Sequence, residues 1–132
     1  MIKKIRQWLD NRSMYVIVDG ADNSITLSKR LVKDMGVMDM DIQPKVIVLW
    51  LPEKQCYGFI VNPAVEQETQ LCDIQYNDKH KSIGFESLCP TVNRMLYDYN
   101  LPCSSCKLSV KKHHTTNLVY YQICRPNGEL AR

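Results

Sequence analysis

The chain has 132 residues, which favours a single domain with a real hydrophobic core. Apolar residues make up 45% and charged residues 23%, a balance typical of globular proteins and not of disordered or fibrous ones. The formal net charge of +3 permits a nucleic-acid partner without requiring one. No run of about 20 apolar residues occurs, so the sequence predicts no membrane-spanning segment.

The first residues and the cysteine content bear on location. Lys3, Lys4 and Arg6 are followed at 10–12 by polar residues, where the apolar core of a signal peptide would stand, so no signal peptide is predicted. Six cysteines in such a chain favour reduced thiols over a disulfide framework. The sequence therefore predicts a cytoplasmic protein.

A short amphipathic helix is predicted over residues 2–10, because Ile2, Ile5, Trp8 and Leu9 lie at helical spacing. Its shortness favours docking on the domain or on a partner chain. The alternative is a membrane-surface helix, aided by the nearby lysines.

The next elements are two strands and a short helix. Residues 14–18 form a β-rich run that ends at the turn signal Asp19-Gly20, and residues 24–27 alternate as a strand does. Ser28 suits a helix N-cap and Gly36 a C-cap, which predicts a helix of about two turns between them. The apolar stripe of this helix is Leu27, Leu31, Val32 and Met35, and the opposite side carries Lys29, Arg30, Lys33 and Asp34.

A hairpin follows over residues 45–63, with apolar strands at 46–51 and 56–61. These elements form unit one, residues 14–63. Residues 64–70 are predicted to be a linker.

The same order of elements then returns over residues 71–126, which form unit two. A strand is predicted over 71–76, and Ser82 parallels Ser24 at an offset of 58. A helix over 86–99 and a hairpin over 107–126 follow, the hairpin at an offset of 62 to 63. The agreement in element order and length favours a tandem duplication within a single domain, residues 1–132.

The stretch S-I-T-L-S-K-R-L-V-K-D-M-G-V resembles the AbrB/MazE-like swapped-hairpin (SpoVT-AbrB type) family, whose usual core is basic-φ-T-φ-P-K-x-φ-R-x-x-φ-G-φ with φ apolar. Ser28 replaces the usual proline, Ser24 the first basic residue and Val32 the arginine. Unit two is a degenerate copy without the terminal glycine. The matching positions are Ile25, Thr26, Leu27, Lys29, Leu31, Met35, Gly36 and Val37.

The resemblance implies an α+β, mostly β domain. In it, two pseudo-symmetric strand–helix–hairpin units interlock into a small swapped-hairpin barrel, preceded by the short N-terminal helix. Two units in one chain imply a barrel closed by a monomer, with a homodimer as the other option. The arrangement makes physical sense because a unit of about fifty residues buries too little surface by itself.

The resemblance also implies a DNA-binding transcriptional regulator or antitoxin-like protein. The missing arginines, and Glu86 where unit one has Ser28, count against DNA. The alternative is a protein-interaction or assembly module on the same barrel, with an exposed apolar patch at Trp8 or Trp50. The residues predicted to bind DNA come from the matched positions and from two basic clusters, the first of which also contains His80. They are Ser24, Lys29, Arg30, Lys33, Lys79, Lys81, Lys111 and Lys112.

Metal binding and catalysis find less support. Cys103 and Cys106 form a C-x-x-C, and with His113 and His114 they are candidates for the four ligands of a tetrahedral zinc site. Against zinc, adjacent histidines project from opposite faces of a strand and no second C-x-x-C occurs. No cofactor is therefore expected, with zinc as the alternative. No nucleophile elbow, phosphate loop or H-E-x-x-H occurs, so no enzyme is predicted. The alternative is an enzyme on the pseudo-twofold barrel, which would need a cleft between the two units that holds titratable groups with perturbed pKa values.

Overall fold

A computed structural model describes residues 13–63, 71–78, 81–86, 91–102 and 104–126. The predicted N-terminal helix at 2–10 and the linker at 64–70 lie outside the described residues. The elements are β1 (Tyr15–Asp19), β2 (Ser24–Leu27), α1 (Lys29–Met35), a 3-10 turn (Val37–Asp39), β3 (Lys45–Leu51), β4 (Cys56–Val61), β5 (Cys72–Asp73), β6 (Gln75–Asn77), β7 (Ser82–Glu86), α2 (Thr91–Asp98), β8 (Ser105–His114) and β9 (Val119–Ile123).

Helix α1 begins and ends at the predicted caps. The Ser28 hydroxyl oxygen accepts a hydrogen bond from the Leu31 N–H at 3.3 Å. Gly36 has a φ of 69°, and its N–H donates to the Lys33 carbonyl at 3.2 Å. Ser28 also accepts from the N–H of Tyr15 at 3.1 Å, which fixes the start of the helix against β1.

The two predicted hairpins are present as β3–β4 and β8–β9. Two predicted elements differ from the structure. The strand predicted over 71–76 is divided into β5 and β6 at Ile74, whose side chain is buried. Glu86 ends strand β7 and does not start a helix, and the described helical residues begin at Thr91.

All described strand pairs are antiparallel, in the order β5-β3-β4-β9-β8-β1-β2-β7-β6. The two ends of this sheet, β5 and β6, are separated along the chain by Ile74 alone, so the sheet forms a nearly closed barrel. The mostly β prediction is confirmed. Four of the ladders join residues 13–63 to residues 71–126, namely β1–β8, β2–β7, β3–β5 and β4–β9.

One core fills the barrel and draws on both parts of the chain. Phe59 on β4 is fully buried, stacks on Tyr121 with ring centroids 5.2 Å apart, and meets Phe85 edge-on at 6.2 Å. Leu31 of α1 and Met95 of α2 are also fully buried, so each helix packs on this core. Neither helix of the described ranges is long and apolar enough to cross a membrane.

Candidate functional site

A groove of about 430 Å³ is lined by α1, the 3-10 turn and the β6–β7 hairpin. Lys29 and Lys33 reach it from α1, where they are one turn apart, and Lys81 reaches it from the turn before β7. All three lysines are exposed. Residues from two groups that the sequence kept apart, the first helix and the cluster at 79–81, thus line one surface, which we call the lysine groove.

The lysine groove also has an apolar lining. Leu27 and Val32 are buried, whereas Tyr76 is 58% and Met38 is 69% exposed. Asp39 is the acidic residue among those that line it, against three lysines. The groove therefore combines positive charge with exposed apolar surface. The positive charge suits an anionic ligand. The other lining residues are Gly36, Ser82 and Ile83.

Arg30 and Lys112 belong to a separate cluster around Asp34. Lys112 Nζ lies 3.0 Å from Asp34 Oδ2, and the Tyr121 hydroxyl donates to the same oxygen at 2.9 Å. Burial raises the pKa of Asp34, but these two hydrogen bonds and the charges of Lys112 and Arg30 outweigh it and lower the pKa below its usual value. The charge of Lys112 is therefore largely balanced by Asp34.

The remaining predicted DNA-binding residues lie elsewhere. Ser24 is 3% exposed, and its hydroxyl has no hydrogen-bond partner among the described residues, so it is not presented on the surface. Lys111 is exposed on β8, next to Lys112 and therefore on the opposite face of that strand. Lys79, with His80, lies outside the described residues.

The turn before β2 has a different environment from the turn before β7. Asn23 precedes β2 and Lys81 precedes β7, and both have a positive φ, 52° and 50°. The side-chain oxygen of Asn23 accepts a hydrogen bond from the Asn93 amide of α2 at 3.2 Å. This hydrogen bond joins helix α2 to the turn before β2. The turn before β7 differs, because its Lys81 lines the lysine groove opposite α1.

The candidate zinc ligands are only partly described. His113 Nε2 lies 2.7 Å from Gln122 Oε1, and its ring stacks on Tyr120 with centroids 4.9 Å apart. Cys106 is half-buried, and burial raises the pKa of its thiol. Within the described ranges no group of three or more His, Cys, Asp or Glu side chains is placed to hold a metal. Cys103 lies outside those ranges, so the four-ligand zinc site stays a prediction.

A second polar cluster, which no pattern in the sequence indicates, lies at the end of α2. The Tyr57 hydroxyl donates to Asp98 Oδ2 at 2.5 Å, and burial, with this bond, raises the pKa of Tyr57 to about 12. Arg125 donates to the carbonyls of Gln55 and Asp98 at 2.8 and 3.0 Å. Tyr57 therefore stays protonated near neutral pH, and these bonds join the end of α2 to β4 and to the residues that follow β9.

In comparisons with known proteins, no family model, no curated protein and no solved structure matches the chain. The resemblance in residues 24–37 and the geometry of the lysine groove are therefore the basis for assigning a function.

Proposed function

We propose that the chain is a DNA-binding regulator built as a single-chain swapped-hairpin barrel. The observation that carries the proposal is the lysine groove, to which Lys29 and Lys33 come from one half of the chain and Lys81 from the other. A barrel-type DNA-binding protein would present such a basic surface, to which both halves of the chain contribute.

The strand registers support the duplication. Adding 58 to the residue numbers of three of the four β1–β2 pairs gives the β6–β7 ladder: Ile17 opposite Thr26 becomes Gln75 opposite Gly84. The next two pairs of the ladder correspond in the same way. This is the offset that the sequence predicted from Ser24 and Ser82, obtained from an independent observation.

The hairpins correspond at a different offset. Adding 63 to the β3–β4 pair Ile47 and Ile60 gives Val110 and Ile123, which pair in β8–β9. The predicted offset there was 62 to 63. Each hairpin pairs with a strand of the other half, β8 with β1 and β3 with β5, as an interlocked barrel requires.

The helix ends correspond too. Gly36 ends α1 with a φ of 69°, and Asn100 follows α2 with a φ of 57°. Unit two lacks the terminal glycine, but asparagine is the next most common residue in this left-handed position.

On this proposal the groove lysines contact phosphates and supply affinity, not base readout. Lysine acts on phosphate as a point charge, and each phosphate that it neutralises releases counterions from the duplex. Base readout would have to come from neighbouring surfaces. Where β2 pairs with β7, the acidic Glu86 is exposed, so the basic surface lies to one side of this strand pair.

The test is binding to a random duplex across a salt series, measured by fluorescence anisotropy. We expect wild type to bind, and the Lys29→Ala, Lys33→Ala, Lys81→Ala triple variant to bind more weakly. The slope of log K against log salt should become shallower by about 2 to 3, roughly 0.9 for each phosphate that the variant no longer neutralises. Circular dichroism checks that the variant is folded.

The matched control removes three exposed or half-exposed lysines that lie outside the groove and were not predicted to bind DNA: Lys45→Ala, Lys54→Ala and Lys107→Ala. It makes the same change in net charge and should keep most of the salt slope. An equal loss of slope in both triple variants would mean that binding does not use the groove. No binding by wild type even at about 20–50 mM salt, where phosphate binding is strong, would reject the proposal.

A second candidate, a protein-interaction module without DNA binding, is favoured by the apolar lining of the same groove. Tyr76 and Met38 are more exposed than Trp50, which is 37% exposed and, with Trp8, was one of the two predicted apolar anchors. Phosphate binding leaves Tyr76 and Met38 unexplained, whereas a protein partner would bury them. Failure of the DNA test with an intact fold selects this candidate.

A further inference from the structure

Two cysteines lie opposite each other at the seam between the two hairpins. The last pair of the β4–β9 ladder is Tyr57 opposite Ile123. The next residues outward are Cys56 and Cys124, so their side chains lie on the same face of the sheet. Directly opposed residues of antiparallel strands have Cα atoms about 4.5–5.5 Å apart, within the range that a disulfide spans.

Both thiols also contact Gln122, the neighbour of Cys124 on this face of β9. The Gln122 amide donates to Cys56 Sγ at 3.4 Å, and Cys124 Sγ lies 4.0 Å from the Gln122 carbonyl oxygen. The register therefore makes the two cysteines neighbours across the strands, and both are free thiols in this structure.

The two cysteines differ in accessibility. Cys56 is 4% exposed, whereas Cys124 is half-buried. Burial raises the pKa of Cys124, the charge of a Cys56 thiolate raises it further, and Lys111 lowers it. A reagent in solution therefore reaches the Cys124 sulfur first. Cys56 lies next to it and can attack the mixed disulfide that forms there.

We propose that Cys56 and Cys124 are a redox site that forms a cross-strand disulfide with a small-molecule disulfide as the oxidant. The Cys124 thiolate attacks one sulfur of oxidised glutathione, forming a mixed disulfide and releasing one glutathione thiolate. The Cys56 thiolate then attacks the Cys124 sulfur and releases the second. The protein loses two electrons and two protons, and the oxidant becomes two molecules of glutathione.

The disulfide would tie the two hairpins together where β4 and β9 meet. It closes a loop of about 70 residues, a length at which cross-links constrain the unfolded chain strongly. This inference is independent of the proposed DNA binding, because neither cysteine lines the lysine groove.

The test incubates the reduced full-length protein with oxidised glutathione and maps non-reduced tryptic peptides by mass spectrometry. We expect a species that links residues 55–79 to residues 113–132, because trypsin does not cleave between Arg125 and Pro126. The first of these peptides also contains Cys72, so the matched variants are Cys56→Ser and Cys72→Ser. The link should persist in Cys72→Ser and be lost in Cys56→Ser and in Cys124→Ser.

A second readout is thermal unfolding. Oxidation should raise the Tm of wild type by roughly 10 °C, reversed by dithiothreitol, and leave Cys56→Ser unchanged. Glutathione that stays attached to Cys124 without a linked peptide would overturn the proposal. So would a link that instead joins Cys72 to Cys124, or Cys103 to Cys106.

Discussion

Asp34 is the residue on which three elements converge, because its carboxylate on α1 accepts hydrogen bonds from Lys112 on β8 and Tyr121 on β9. Its pKa is lowered on folding, so it contributes stability above its unfolded value of about 3.8, and this is lost as the pH falls through the folded value. Asp34→Asn should therefore lower the free energy of unfolding by about 1–2 kcal/mol at pH 7.

This loss should shrink below pH 4, and urea unfolding at pH 7 and at pH 3 measures it. The matched control is Asp73→Asn, whose carboxylate is 55% exposed and 4.0 Å from Lys45. We expect a loss of under about 0.5 kcal/mol there, as for other exposed pairs. An Asp34→Asn loss as large at pH 3 as at pH 7 would contradict the assigned role.

Single residues differ in how far the sequence predicts their roles. Ser28 and Gly36 were predicted as caps because capping depends on the few residues around it. Tyr99 was predicted only as the last residue of the helix over 86–99. Its hydroxyl in fact accepts from the Tyr57 N–H at 2.6 Å and donates to the Ile123 carbonyl at 2.5 Å, bridging two strands. That role depends on strands far from it in sequence, so no local pattern indicates it.

At the scale of elements, the β2–β7 pairing depends on Gly84. A Cβ at this position would lie 2.3 Å from the Ile25 carbonyl oxygen, a backbone atom that cannot turn aside. Gly84→Ala should therefore separate β7 from β2 and cost about 1–3 kcal/mol, as overpacking does.

The control is Gly36→Ala, where no atom lies within 4 Å of the added Cβ and only the positive φ is strained. We expect a cost of about 1 kcal/mol there. Urea unfolding measures both variants. A Gly84→Ala variant as stable as wild type would show that β2 and β7 do not approach so closely.

The sequence predicts individual strands and helices better than it predicts which of them pair or contact each other. The hairpins over 45–63 and 107–126 are evident from apolar strands and turn residues. The break at Ile74 is not, because it arises where one segment pairs with β3 on one side and with β7 on the other. For the same reason the sequence assigned Lys81 and Lys29 to different clusters. Their meeting in the lysine groove depends on how the β6–β7 hairpin lies against α1.

At the scale of the whole molecule, stability depends on contacts between the two halves. Within 13–63 the described strands form only the β1–β2 and β3–β4 hairpins, and the other edges of these pairs are satisfied by strands of 71–126. Phe59 contacts Phe85 and Tyr121, so the core is shared as well. Each half alone would leave strand edges and apolar side chains in water.

The barrel should therefore reassemble from two fragments but not form from one. A chain break between residues 66 and 67 falls outside the described strands. We expect fragments 1–66 and 67–132 each to lack a cooperative thermal transition in circular dichroism, and an equimolar mixture to regain it as a one-to-one complex in analytical ultracentrifugation. Because the two fragments are not covalently joined, their association is bimolecular and the transition should depend on protein concentration. A fragment that folds alone would mean that its own hairpin and helix, β3–β4 with α1 or β8–β9 with α2, form a core by themselves. The four ladders between the halves would then not be what holds the barrel together.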